Sequence, residues 1–307
     1  MKYFIKSVFL FGFIFIGIYC IGVFIHGTFM PKANPFKSSY GHLNARLQEV
    51  KNFKNVDILF GGASRSYRGF DTRIFQEHGY YTFNLGSSSQ TPLQTNLLLK
   101  RYSEALCPKL VILEVNPGIF SSDGVESALD VINNDKVDVE LIKMVLTINH
   151  FKTYRNLIYA LERDLFKINL NYHQPIKQGE DTYISGGYVE HERERKLFNA
   201  SGNIQKIKWE PNKKQLAAFD EIISSLKEQN IDYILVSAPS AYVDYNSYIN
   251  RSDFTALMEI YGEYYDFNKI VDMDDSLHFY DASHLNQNGV DIFDEKLIGI
   301  ISARYDK

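Results

Sequence analysis

Three residues in this sequence have types and neighbours suited to acyl transfer. Ser64 closes the run Gly61-Gly62-Ala63-Ser64 after a short apolar stretch, where glycines allow a tight turn and a hydroxyl can stand at the edge of a sheet. A serine hydroxyl attacks poorly until a neighbouring base takes its proton. Near the other end, Asp281-Ala282-Ser283-His284-Leu285-Asn286 sets a carboxylate three residues before a histidine, just ahead of the last helical pattern. An aspartate so placed can hold an imidazole in one tautomer and stabilise it once protonated. Each piece alone has an ordinary reading, Ser64 as a cap at a strand-to-helix turn and Asp281 as a cap of the final helix. Brought to one cleft, they become nucleophile, base and orienting acid.

Positioning them there falls to an alternating pattern of strands and helices. Apolar runs at Val56–Phe60, Tyr80–Leu85, Leu110–Val115, Tyr233–Ser237 and Ile270–Met273 read as strands. Helical patterns occupy Thr91–Glu104, Lys213–Glu228, Phe254–Tyr264 and Gly289–Ala303. This alternation predicts an α/β fold, a three-layer α/β/α sandwich around a central parallel sheet, with loops gathered at the strand ends where Ser64 lies. Between about 117 and 211 the rhythm stops, which marks an insertion. There Val137–Lys167 reads as helix, whereas Asn169–Asn203 is too polar for a core. Its Tyr172, Tyr183 and Tyr188 suit either stacking on sugar rings or plain amphipathic packing. Residues 31–54 read as a juxtamembrane linker, and 55–307 as the catalytic domain.

Composition bounds the rest. A chain of 307 residues, 45% hydrophobic, can bury one substantial core. Its formal charge of −4, with no long basic run, offers nothing to nucleic acid. Cys20 lies in an apolar run and Cys107 in the body, so no internal disulfide is expected. From Ser7 to Ile25 there is no charge, and roughly 19 helical residues approach the ~30 Å hydrocarbon thickness of a bilayer. Lys2 and Lys6 precede this run, so the positive-inside rule puts the N-terminus in the cytoplasm and the body outside. The run is long for a signal peptide, and no small-residue cleavage pattern follows it, so residues 1–30 are expected to remain as a single-pass anchor. No cluster has metal-ligand spacing, so neither metal nor cofactor is expected. His150, His173 and His278 have the look of structural histidines, and Glu114 of a capping acceptor.

Taken together, the short blocks resemble the SGNH, or GDSL-like, hydrolase superfamily. The first block resembles Gly62-Ala63-Ser64 with Gly69 and Asp71 downstream, and the last Asp281, His284 and Asn286. Asn84-Leu85-Gly86-Ser87 is similar to the second block and Glu114-Val115-Asn116-Pro117 to the third. The resemblance implies an oxyanion hole built from the Gly86 amide and the Asn116 side chain. It departs at Ala63, where the family has Asp, and at Glu114 and Pro117, which replace the Gly and Asp flanking the third-block asparagine. Such loosened blocks look like those of the family's membrane-anchored, envelope-polysaccharide branch. By that resemblance the expected function is a serine esterase or O-acyltransferase acting on acyl, chiefly acetyl, esters of exported carbohydrate, with a membrane acyl donor as a partner to consider. The competing expectations are a catalytically inactive carbohydrate-binding or scaffold protein and an extracytoplasmic lipid esterase.

Overall fold

The computed structural model describes residues 1–29, 41–168, 172–192 and 204–305. It opens with α1 (Lys2–Phe29), an apolar helix that only at its C-terminal end touches the rest of the molecule, where Val23 and Gly27 are buried. Residues expected to form a linker instead fold onto the domain from residue 41. A short helix at Leu43–Glu49 buries Leu43, Arg46 and Leu47. Its Leu43 and Leu47 recur at i and i+4, so their spacing suits one buried helical face.

Five parallel strands make the central sheet: β1 (Ile58–Gly61), β2 (Thr82–Asn84), β3 (Leu110–Glu114), and later β7 (Asp232–Ser237) and β8 (Tyr264–Asp266), in the order β2-β1-β3-β7-β8. Ile58 pairs with Thr82 on one side and Leu110 on the other, and Leu110 pairs with Asp232. Side chains alternate between two apolar clusters. Leu59, Val111, Leu113 and Leu235 face one, whereas Ile58, Phe60, Ile112, Ile234 and Val236 face the other. A sheet buried on both faces explains why its strands read as continuous apolar runs.

Helices cover both faces. After β1 comes α2 (Ser64–Tyr67), a single turn, and after β2 comes α3 (Pro92–Leu106). A capping box starts α3, with Thr91 and Gln94 bonding reciprocally and Pro92 in its first turn. The insertion contributes α4 (Val125–Asn134), α5 (Val139–Ile148) and α6 (Phe151–Leu165). It also forms an antiparallel sheet of β4 (Lys177–Gln178), β5 (Asp181–Ile184) and β6 (Tyr188–His191). Then follow α7 (Lys213–Glu228), α8 (Arg251–Tyr261) and α9 (Gln287–Tyr305).

Two expectations change. The last strand is Tyr264–Asp266, and Ile270–Met273, expected to form it, lies at the end of and beyond the helical turn Phe267–Ile270, which packs Phe267 and Ile270 into the second cluster. An apolar run of four residues suits a buried turn as well as a strand, so periodicity alone does not separate them. The polar stretch Asn169–Asn203, where described, is ordered by the small sheet, and its Tyr183, Tyr188 and Val189 are buried. Residues 169–171 and 193–203 of that stretch lie outside the described residues.

Candidate active site

Ser64 begins α2 directly beyond β1, at the C-terminal edge of the sheet. The chain reaches it through Gly62, whose φ of 136° suits glycine, and where a Cβ would sit 2.8 Å from that of Glu114 on β3. Glycine is therefore required for the turn to lie this close to the neighbouring strand. From the far end of the chain, the segment before α9 brings His284 Nε2 to 2.7 Å from Ser64 Oγ. His284 Nδ1 lies 2.9 Å from Asp281 Oδ2, and Asp281 Oδ1 also accepts the backbone N–H groups of Ser283 and His284. With Nδ1–H donating to Asp281, Nε2 is left as the acceptor facing the serine hydroxyl. The structure thus brings Ser64, His284 and Asp281, the three residues singled out in the sequence, into one hydrogen-bonded series.

Electrostatics suit a base. Burial pushes the His284 imidazole below its ordinary value, Asp281 opposes that shift, and the Arg68 and Arg65 charges add to it. For Asp281, burial works upward, yet the His284 hydrogen bond and charge and the two backbone amides hold it below the usual carboxylate range. At neutral pH the pair is then a neutral imidazole beside a carboxylate.

Neither expected oxyanion donor stands free. The Gly86 N–H donates to Asn84 Oδ1 at 2.9 Å, and the same oxygen accepts from Ser66 Oγ at 3.1 Å. Asn84 Nδ2 in turn donates to the Ser66 carbonyl, so Asn84 ties the second block to the nucleophile's own turn. The Ser87 N–H donates to the Gly62 carbonyl. Next along the chain, Ser88 and Ser89 are half-buried, and their N–H groups have no hydrogen-bond partner among the described residues. Asn116 caps the Pro117–Ser121 helix with Oδ1 and donates through Nδ2 to the Glu114 carboxylate at 3.2 Å. One of its two amide hydrogens remains. Glu114 itself is buried, and burial raises its pKa against the opposing pull of Arg65 and Asn116.

Several residues around the triad carried no signal in the sequence. Arg65 pairs with Asp244 at 2.6 Å, and Asp244 accepts from the Ser283 hydroxyl at 3.4 Å. Arg68 forms a two-pronged pair with Asp181 of β5, at 2.9 and 2.6 Å. Asp181 also meets His191 Nδ1 at 2.7 Å, the His191 ring lies 4.2 Å from Tyr280, and Tyr280 stacks on His284 at 5.5 Å. The small sheet of the insertion thereby braces the His284 imidazole. Arg65 and Arg68 follow Ser64 by one and four residues, a spacing consistent with one helical turn, but their partners lie more than 100 positions away.

Other expectations resolve simply. Tyr183 and Tyr188 are buried, bonded to Glu49 and Gln287, so neither is free to stack on a sugar, and Tyr172 is half-buried. Exposed Tyr242 lies nearer the triad, because Ala241 N–H donates to the Ala282 carbonyl. His278 accepts the Asp274 N–H and His150 that of Lys152, both as local caps, while His173 is exposed. The cavity bordered by Arg68, Ser283, His284 and Leu285 measures only about 10 Å³.

No family model and no curated protein matches this chain. Among solved structures, it is similar to a candidate acylhydrolase from Bacteroides fragilis, at 13% identity and a TM-score of 0.44, covering 86% of this chain and 97% of that one. A GDSL-like lipase from Bacteroides thetaiotaomicron is similar at 12% identity and a TM-score of 0.43, covering 86% and 98%.

Proposed function

We propose that this protein is a serine esterase or O-acyltransferase of the SGNH type, acting on short acyl esters of cell-envelope or exported carbohydrate. The observation that carries the reading is the contact of Ser64 Oγ with His284 Nε2 at 2.7 Å, continued to Asp281 at 2.9 Å. Ser64 attacks the ester carbonyl while His284 takes its proton, and Asp281 stabilises the imidazolium. Negative charge then moves to the carbonyl oxygen. The Ser64 N–H and the second amide hydrogen of Asn116 are donors for it. In place of Gly86, whose N–H is spent on Asn84, the Ser88 N–H is the better third donor. Collapse expels the alcohol, protonated by His284, and leaves an acyl-enzyme. Attack by water makes the protein an esterase, and attack by a sugar hydroxyl makes it a transferase.

Two features favour a small acyl group on a large acceptor. The cavity bordering His284 is slight, at about 10 Å³, whereas a lipid esterase needs an apolar cleft beside its triad. Tyr242, 64% exposed next to the triad loop, offers a flat ring to a sugar. We further propose that α1 is an uncleaved single-pass anchor, with Lys2 and Lys6 inside and the domain outside. Its 18-residue core has a mean hydropathy of 2.7 and none of that window is buried.

The test uses the full-length protein. A fluorophosphonate probe should label Ser64, and an acyl-ester donor should be consumed, with the acetyl group traced by mass spectrometry to water or to an added oligosaccharide. Absence of labelling in a folded protein favours the inactive sugar-binding alternative. A reporter fused after Lys307 should be active only outside the cytoplasm, and carbonate washing should leave the protein in the membrane.

A further inference from the structure

The helix α1 is longer than a membrane needs. Its 28 residues span roughly 42 Å at about 1.5 Å each, against a hydrocarbon layer of about 30 Å. With Lys2 and Lys6 both inside, the layer starts near Ser7 and is crossed by about His26, so Gly22–Phe29 span its outer boundary. That last stretch is where α1 meets the domain. Val23 and Gly27 are buried, a Cβ on Gly27 would run into the Tyr159 ring of α6, and the Phe24 ring meets Phe166 edge-on at 5.5 Å.

Beside this contact is a cavity of about 310 Å³, which Tyr19 and His26 of α1 line together with Asn133, Arg155, Asn156 and Tyr159 of the insertion. Its polar groups are poorly matched from within. Arg155 is exposed and has no ion pair among the described residues, and the buried Tyr159 hydroxyl has no hydrogen-bond partner. Asn156 spends one hydrogen on Asn133. Glu162, two turns along α6, is half-buried and paired with no cation among the described residues, and burial raises its pKa. The same helix leaves Leu161 and Leu165 exposed, an apolar flank suited to the bilayer boundary.

We propose that this cavity binds the headgroup of an anionic phospholipid of the outer leaflet, with Arg155 pairing to its phosphodiester. The Asn156 amide donates to its oxygens, and its acyl chains run down α1 past Tyr19. A guanidinium and an amide at the outer boundary of the hydrocarbon, where a long Arg side chain reaches the phosphates, form a donor set for that group, and the glycine at position 27 lets α1 lie close enough to close one wall. The lipid would fasten the anchor to the insertion, which also holds the triad through Asp181 and Arg68.

This proposal rests on the reading of α1 as an uncleaved anchor, and the experiment separates the two. Membranes carrying the full-length protein are first washed with carbonate, and release at this stage removes the anchor and the site with it. The retained protein is then solubilised in maltoside detergent, titrated with phosphatidylglycerol, phosphatidylcholine or inorganic phosphate, and read by native mass spectrometry. One phosphatidylglycerol should bind at least tenfold tighter than phosphatidylcholine. Arg155→Gln should weaken it at least tenfold, and Lys208→Gln, a change at an exposed pair with Glu210, should not. Millimolar inorganic phosphate should fail to displace it. Unchanged binding in Arg155→Gln, equal binding of the two lipids, or displacement by phosphate each overturns the site.

Discussion

Gly86→Ala separates two roles for the second block, shaping the nucleophile's turn or donating to the oxyanion. The backbone at Gly86 does not need glycine's left-handed freedom, so the effect of the substitution is steric. The added Cβ would fall 2.9 Å from Asn84 Oδ1, 3.1 Å from the Gly62 carbonyl oxygen and 3.1 Å from Ser66 Cβ. Two of those neighbours flank Ser64, and the third is the side chain that ties them to the second block. They must give by a few tenths of an ångström, and overpacking of this kind costs about 1–3 kcal/mol. At roughly 2–4 °C per kcal/mol, Tm should fall by about 3–10 °C. The Ser64 hydroxyl should move with its turn. Since a misplacement of about 1 Å costs ~100-fold, a shift of a few tenths of that should lower kcat about 3- to 10-fold. Loss of an oxyanion donor alone would cost about 100- to 1,000-fold without lowering Tm. The assay is hydrolysis of p-nitrophenyl acetate, with circular dichroism melting on the same samples. A Gly86→Ala protein with native Tm and native turnover would refute the reasoning. Asn116→Ala should reduce turnover at least as much as Gly86→Ala, by about 100-fold or more, because it removes an assigned oxyanion donor as well as a helix cap.

Ser64→Ala and His284→Ala should each remove nearly all turnover, and the double variant should lose little more, because the pair acts as one unit; additive losses in p-nitrophenyl acetate hydrolysis would separate them. The acid limb of kcat/KM should lie below the ordinary histidine range, because burial first, and then the Arg68 and Arg65 charges, lower the His284 pKa. Arg68→Gln should move that limb to higher pH and Arg68→Lys should largely restore it, a comparison read from pH–rate profiles. Asp294 is buried, accepts the Asp71 N–H, and has its pKa pushed well up by burial. For a carboxyl so raised, stability is fully present below the unfolded-state pKa and is lost as pH rises toward the folded value, by up to about 1.4 kcal/mol per pH unit. Asp294→Asn should therefore flatten the dependence of denaturant midpoints on pH above about 4, and an unchanged slope would contradict the assignment.

Legibility in the sequence followed the range over which each interaction acts. Asp281 and His284 are three residues apart, so their contact is nearly a property of the local chain, and Ser64 is marked by the glycines its turn requires. Buried strands and amphipathic helices declare themselves through periodicity, which is why β3 and α7 match their expected bounds to within a residue. Where apolar runs are short the signal fails, and the strand expected at Ile270–Met273 lies instead at Tyr264–Asp266, before the helical turn Phe267–Ile270. Polar composition misled at residues 177–191, because a small sheet can be ordered by charge pairing as well as by apolar burial. Asp181 there joins both Arg68 and His191, and Arg73 reaches Glu190.

The same contacts explain what an insertion of this length does in the fold. A loop that interrupts a sandwich tends to be a surface excursion. In this chain α6 packs against the end of α1, and β5 and β6 deliver Asp181 and His191 to Arg68 and Tyr280 beside His284. The insertion therefore touches both the C-terminal end of the apolar helix and the surroundings of His284. Arg68 is nearly buried, stacked near Tyr67 and Tyr280 and paired with Asp181. Removing Arg68 leaves the partly buried Asp181 with His191 as its remaining partner, so the cost should fall below the roughly 3–5 kcal/mol of a fully buried pair. Arg68 therefore sets both the charge felt by His284 and the seating of the insertion, and Arg68→Lys distinguishes these roles: it keeps the charge but not the two-pronged grip on Asp181. A normal pH profile with a lowered Tm in that variant would assign the charge to catalysis and the planar grip to architecture.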